Sequence, residues 1–192
     1  MPLGISIDPV TGIISGTYDA DASQSGPYTV SITATDLAGA TTTQTFQWTV
    51  TNPGPDATNN DLSTTENGSV LSGNVINDDD GSGIDTDVDG DTLVVSNVNG
   101  NAANLGSVVN GTNGGTFLIN ADGTYVFDTG SDFDFLNAGE TTTTAVDYTI
   151  SDGEGGTDSA TVIVTVTGTN DCLLYTSPSP RDLSTSRMPS SA

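Results

Sequence analysis

Residues 115–128 read GTFLINADGTYVFD, and their reading decides the fold. Two short runs of aromatic and branched residues, TFLI and TYVF, flank Asn120-Ala121-Asp122-Gly123. Four turn-forming residues between two such runs spell a β-hairpin. The same punctuation recurs outward in both directions. It predicts strands near residues 57–64, 69–76, 92–98, 105–109, 144–151 and 158–167 around the hairpin strands at 115–120 and 124–128. Asp152-Gly153 marks a further turn before DSATVIVTVTG. Helix-period apolar patterns are absent, so the class is all-β. Short strands at this spacing predict a Greek-key sandwich over residues 61–171. A chain of that length buries about two-thirds of its surface, enough for one core.

Ahead of this unit, residues 1–51 form a smaller block. LGISIDPVTGIISGTYD turns at Asp8-Pro9-Val10-Thr11-Gly12, with Pro and Gly where a tight turn wants them. PYTVSITATD has period two, with Tyr28, Val30, Ile32 and Ala34 on one face. TTTQTFQWTVT follows, with Phe46, Trp48 and Val50 expected to point inward. NPGPDATNN, residues 52–60, is a Pro/Gly linker too short for free tumbling. Composition breaks again at Cys172. CLLYTSPSPRDLSTSRMPSSA introduces Cys, Arg and a Pro-rich run together. It resembles a translated sequencing adapter, so residues 172–192 are set aside as an artefactual or disordered tail. The natural chain is expected to continue past Asp171 and to begin before Met1.

Charge narrows the function classes. The chain has 25 acidic residues, two basic ones and no His, for a formal charge of −23. Both arginines, Arg181 and Arg187, and the single Cys172 lie in the tail; residues 1–171 contain no Lys, Arg or Cys. Such a surface repels nucleic acid and anionic membranes, which need basic contacts. No stretch is apolar enough to insert into a membrane. Acid–base and covalent catalysis also lack their usual side chains, so the segment reads as non-enzymatic. Disulfides are excluded up to residue 171, so another staple, such as a metal, would suit a loop-rich unit.

The metal reading rests on residues 77–91, NDDDGSGIDTDVDGD. Asp78, Asp79, Asp80, Asp85, Asp87, Asp89 and Asp91 fall in that one loop, with no cation nearby. Unit charges about 5 Å apart repel by roughly 1 kcal/mol per pair even in water. The loop therefore either splays in solvent or holds a cation. Gly81, Gly83 and Gly90 allow the tight bends that let carboxylates converge. Oxygen donors without His or usable thiol favour Ca2+ over a transition metal. Asp85, Asp87, Asp89 and Gly90 match the start of a helix–loop–helix calcium loop. Ser96 stands where that loop needs a bidentate Glu, however, and Leu93-Val94-Val95 favours a strand, so it is not an EF-hand.

Together, ENGSVLSGNVINDDD, DVDGDTLVVSNVNG, NADGTYVFD, FLNAGE and DYTISDGEGGTDSATVIVTVTGTND resemble a bacterial VCBS-type, cadherin-like repeat across roughly residues 55–171. LGISIDPVTGIISGT and YTVSITATDLAG resemble the C-terminal half of another immunoglobulin-like or cadherin-like repeat. YTVSITATDLAG…FQWTVTNPGPDA and VDYTISDGEGG…VIVTVTGTND echo one another, as tandem repeats do. Asp80-Gly81-Ser82-Gly83-Ile84 departs from the family pattern as an insertion. The resemblance implies tandem sandwiches, the first truncated, in a large secreted bacterial adhesin. It also implies calcium at domain junctions, neighbouring repeats as partners, and a spacer or adhesion role outside the cell.

In an immunoglobulin-like strand order the B–C and F–G loops share the end nearest the preceding linker. With strand B at Leu71–Ile76 and strand C at Leu93–Val98, the acidic loop, Asp152 and linker residue Asp56 should meet there. The expected ligands are drawn from Asp78, Asp85, Asp87, Asp89, Asp91, Asp152 and Asp56. Glu66, at the opposite end, would serve a second site with the following repeat, near Asn170 and Asp171. Asp132 and Asp134 are expected to be solvent-facing, between inward Phe133 and Phe135 or the reverse. Two other functions compete: a module binding host or cell-surface glycans, and an accessory region of a secreted hydrolase.

Overall fold

The computed structural model describes residues 1–170. The tail and Asp171 lie outside the described residues. Residues 1–51 fold as two antiparallel hairpins, β1 (Ile5–Ile7) with β2 (Ile14–Gly16) and β3 (Tyr28–Thr35) with β4 (Thr41–Trp48). Between them runs a single 3-10 turn, Ala20–Ser23. The β3–β4 ladder pairs hydroxyls across one face: Ser31 with Thr45 at 3.0 Å and Thr33 with Thr43 at 2.8 Å. On the other face Val30 is buried, but Phe46 is 40% exposed and Trp48 only half-buried. This corrects the inward reading of Phe46. Its alternation is right, but its ring stays partly in solvent.

The larger unit is a sandwich of two four-stranded sheets. One runs β6 (Leu71–Asn74), β10 (Thr124–Asp128), β9 (Thr116–Ile119) and β8 (Val108–Asn110). The other runs β5 (Asn60–Thr65), β12 (Thr157–Thr167), β11 (Thr141–Ser151) and β7 (Val94–Val98). The chain crosses between the sheets from β5 to β6, β6 to β7, β7 to β8 and β10 to β11, while β8–β10 and β11–β12 are in-sheet hairpins, as in a Greek key. All pairings are antiparallel except β5 on β12. The decisive hairpin closes as its residues require. Gly123 takes φ 83°, and its N–H bonds to the Asn120 carbonyl at 3.0 Å.

Period-two burial explains the core. Along β11, Val146, Tyr148 and Ile150 point in; along β12, Ala160, Val162, Val164 and Val166 do. Phe117, Ile119, Tyr125 and Phe127 face them from the other sheet, with the Phe117 and Phe127 ring centroids 4.5 Å apart. Phe133 is fully buried, whereas Phe135 is 68% exposed. The expected alternation there is overturned because residues 131–135 form turns, not a strand. Asp132 and Asp134 are exposed, as expected, and the Asp132 carboxylate also accepts the Gly115 N–H at 2.8 Å.

This topology leaves a long β6–β7 loop, residues 75–93, beside the short β11–β12 loop, residues 152–156.

Candidate metal centre

Asp87 shapes its own loop. Its Oδ1 accepts the N–H groups of Asp89, Gly90 and Asp91 at 3.1, 3.1 and 3.2 Å. Gly90 permits this bend with φ 88°, a left-handed conformation that costs a side chain dearly. With Oδ1 occupied, Asp87 Oδ2 is buried without a hydrogen-bond partner, and so is Asp91 Oδ2. Leaving a buried charged acceptor unpaired costs several kcal/mol in order of magnitude. Such oxygens call for a cation.

The neighbouring loop is built on the same plan. Asp152 is 5% exposed, and its Oδ1 accepts the Glu154 and Gly156 N–H groups at 2.8 and 2.9 Å. Its Oδ2 accepts from Asn52 Nδ2 at 2.8 Å, which ties the linker to this loop. Asn52 Oδ1 is a further buried oxygen without a partner. Gly156 makes the approach possible: a Cβ there would lie 2.0 Å from Asp152 Oδ2 and 2.8 Å from Gly54 Cα. One carboxylate oxygen from each of Asp87, Asp91 and Asp152 falls within 4.8 Å of the others.

Electrostatics follow from this crowding. Burial first, then the charges of Glu154, Asp87, Asp152 and Asp21, push the Asp91 carboxyl above the usual range. Asp89 is pushed up to about 6, chiefly by its side-chain contact with Asp87, which is itself held low by the same contact. The donor set is all oxygen, and Asp87 Oδ2, Asp91 Oδ2 and Asn52 Oδ1 are buried without partners. It fits a hard cation and offers nothing to a soft one.

Comparison with known proteins agrees with this architecture. Residues 52–168 match the family described as bacterial cadherin-like domain. The chain belongs to that family. Residues 1–51 match a putative Ig domain. Bacterial cadherin-like repeats are typically extracellular, and domains of both kinds are typically non-catalytic. No helix among the described residues is long and apolar enough to cross a membrane. No curated protein matches the chain. Among solved structures, an endo-fucoidan hydrolase of glycoside hydrolase family 107 aligns with 85% of this chain and 26% of its own. The identity is 17% and the TM-score 0.31.

The remaining expected ligands of the cadherin-like unit sit elsewhere. Asp89 is exposed at the rim, in contact with Asp87. Asp78 turns back to accept the Asn74 N–H at 2.6 Å. Asp56 pairs through its backbone with Thr86, its N–H 2.8 Å from the Thr86 carbonyl, while its side chain stays exposed. Asp85 is buried in the sandwich, not at the cluster. It accepts the Thr58 N–H at 2.7 Å and the Tyr148 hydroxyl at 3.1 Å. Glu66 lies at the opposite end, 2% exposed. Its Oε1 accepts the Thr169 hydroxyl at 2.9 Å and the Thr169 N–H at 2.5 Å, while Oε2 has no partner.

Sequence reasoning missed Asn52, Asp21 and Glu154. Asn52 was readable as a linker carboxamide beside a carboxylate-rich end. Glu154 was readable as well, two residues from Asp152 in the same loop; Asp21 was not, because its proximity depends on how the two units meet.

Proposed function

We propose that this chain is a calcium-stiffened, non-catalytic spacer segment of a large extracellular bacterial surface protein. The observation that carries it is the set of three carboxylates within 4.8 Å, two with buried unpaired oxygens, in a region without Lys or Arg. Asp87, Asp91 and Asp152 would hold the ion, with Asn52 Oδ1 as a neutral donor from the linker. Calcium accepts such mixed carboxylate and carbonyl oxygens in flexible geometry, whereas magnesium demands a near-ideal octahedron. Because one donor lies on the linker and the others on two loops, the bound ion would join the linker to the repeat and stiffen the junction.

Thermal unfolding tests this directly. One site at a hundred times its dissociation constant adds about 2.7 kcal/mol, roughly ten degrees for a unit of this size. Millimolar calcium should produce that rise and magnesium should not. An equal, small rise with either ion would reduce the cluster to charge screening.

At the other end, Glu66 supplies half of a second cation site completed by the following repeat. Its buried, unpaired Oε2 motivates this. In a tandem carrying the next repeat, Glu66→Gln should lower the calcium stoichiometry by one in a calorimetric titration. Unchanged stoichiometry would remove the second site.

A further inference from the structure

We propose that Glu154 is a latch, fastening the cadherin-like unit to the preceding unit without any cation. The Ser23 hydroxyl donates to Glu154 Oε2 at 2.6 Å, and the Gln24 carboxamide donates to Oε1. Both carboxylate oxygens are thus taken by one short turn of the other unit, across a sequence separation of 131 residues.

Each half of the contact is braced from its own side. The Tyr28 hydroxyl donates to the Ala22 carbonyl at 2.8 Å, and Ala22 is 4% exposed. Two backbone bonds, Ala22 N–H to Asp19 and Gln24 N–H to Asp21, close the turn at 3.0 and 3.2 Å. On the other side, Asp152 Oδ1 holds the Glu154 N–H. Gly153 and Gly155, at φ 80° and 103°, flank Glu154 and keep the loop tip narrow.

The chemistry suits this chain. With no Lys or Arg up to residue 171, the units cannot be joined by salt bridges. A carboxylate gripped by neutral donors is the strongest polar contact left, since hydrogen bonds to a charged acceptor exceed neutral ones. Neutral donors also make the contact insensitive to salt. The partner it fits is a unit presenting a hydroxyl and a carboxamide on adjacent residues of a tight turn.

Hydrogen exchange on the full chain, in chelator throughout, tests the latch apart from the calcium reading. The Ala22 and Gln24 amides should exchange about tenfold faster in Glu154→Ala, and again in the Ser23→Ala/Gln24→Ala double variant. The amides of β11 and β12 should keep their protection in the double variant, whose changes lie on the other unit. Should Glu154→Ala disturb the sandwich, the double variant decides. Exchange at Ala22 within twofold of wild type in that variant would overturn the latch, whatever calcium does.

Discussion

In chelator the Asp91→Asn protein should melt above the wild type, and in millimolar calcium below it. The crossing follows from what Asp91 faces. Burial first, then the charges of Glu154, Asp87, Asp152 and Asp21, raise its carboxyl, and its Oδ2 has no donor. Without an ion, neutralising Asp91 relieves these repulsions, so the variant should melt measurably higher. With calcium, the variant loses a charged ligand and with it most of the ion's contribution. Calorimetric scans of both proteins in both buffers read the outcome. If Asp91→Asn melted lower by the same amount in each, Asp91 would be a structural acceptor and the cation reading would fail.

Asp87→Asn should not show the same crossing in chelator. Its Oδ1 organises three backbone N–H groups, a role an asparagine oxygen keeps but with weaker, uncharged hydrogen bonds. The two aspartates stand four residues apart and share one loop, yet one is loop scaffold and prospective ligand together, the other prospective ligand alone.

Strand positions were legible because burial here has period two and the turn residues are explicit. TFLI, TYVF, DYTIS and VIVTVTG each landed on a strand, and Asn120–Gly123 on its turn. Where alternation in sequence is not carried by a strand, the reading failed. Residues 131–135 alternate Phe and Asp in sequence but wind through successive turns, burying Phe133 and exposing Phe135.

The candidate site was legible as a region and not as a ligand set. An aspartate in a Gly-rich loop has three possible fates, all of them realised here. Asp78 and Asp79 cap their own loop, with Asp79 Oδ1 accepting the Gly81 N–H at 2.9 Å. Asp85 enters the core. Asp87 and Asp91 turn toward Asp152. Composition cannot separate these outcomes, because each depends on which N–H groups the folded loop brings within reach.

The fate of Asp85 yields the other large effect: Tyr148→Phe should cost about 2–3 kcal/mol at pH 7, since it strips a buried carboxylate of a donor. Tyr148 Oη lies 2.9 Å from the Thr58 carbonyl, 3.2 Å from that of Val75, and 3.1 Å from Asp85 Oδ2, with Asn60 Nδ2 donating at 3.0 Å. One hydroxyl hydrogen cannot serve all three acceptors. A proton on Asp85 resolves the shortage, because the carboxyl then donates to Tyr148 and the hydroxyl to Thr58. Burial, the largest influence, raises Asp85; Thr58 and Tyr148 oppose it, and the charges of Asp158 and Asp56 add to it. The folded value therefore exceeds the unfolded one. The stability this contributes is complete below the unfolded value of about 3.9 and is lost as pH rises through the folded one. Asp85→Asn should abolish that slope and melt at or above the wild type at pH 7, since asparagine keeps the Thr58 acceptor and supplies the hydrogen Tyr148 lacks. The cost of Tyr148→Phe should shrink toward acid, where a neutral carboxyl no longer needs the donor. Urea unfolding of the three proteins at pH 7 and near pH 4 checks both signs. A Tyr148→Phe penalty that is constant with pH, with Asp85→Asn equally destabilised, would show that Asp85 is buried as a stable carboxylate.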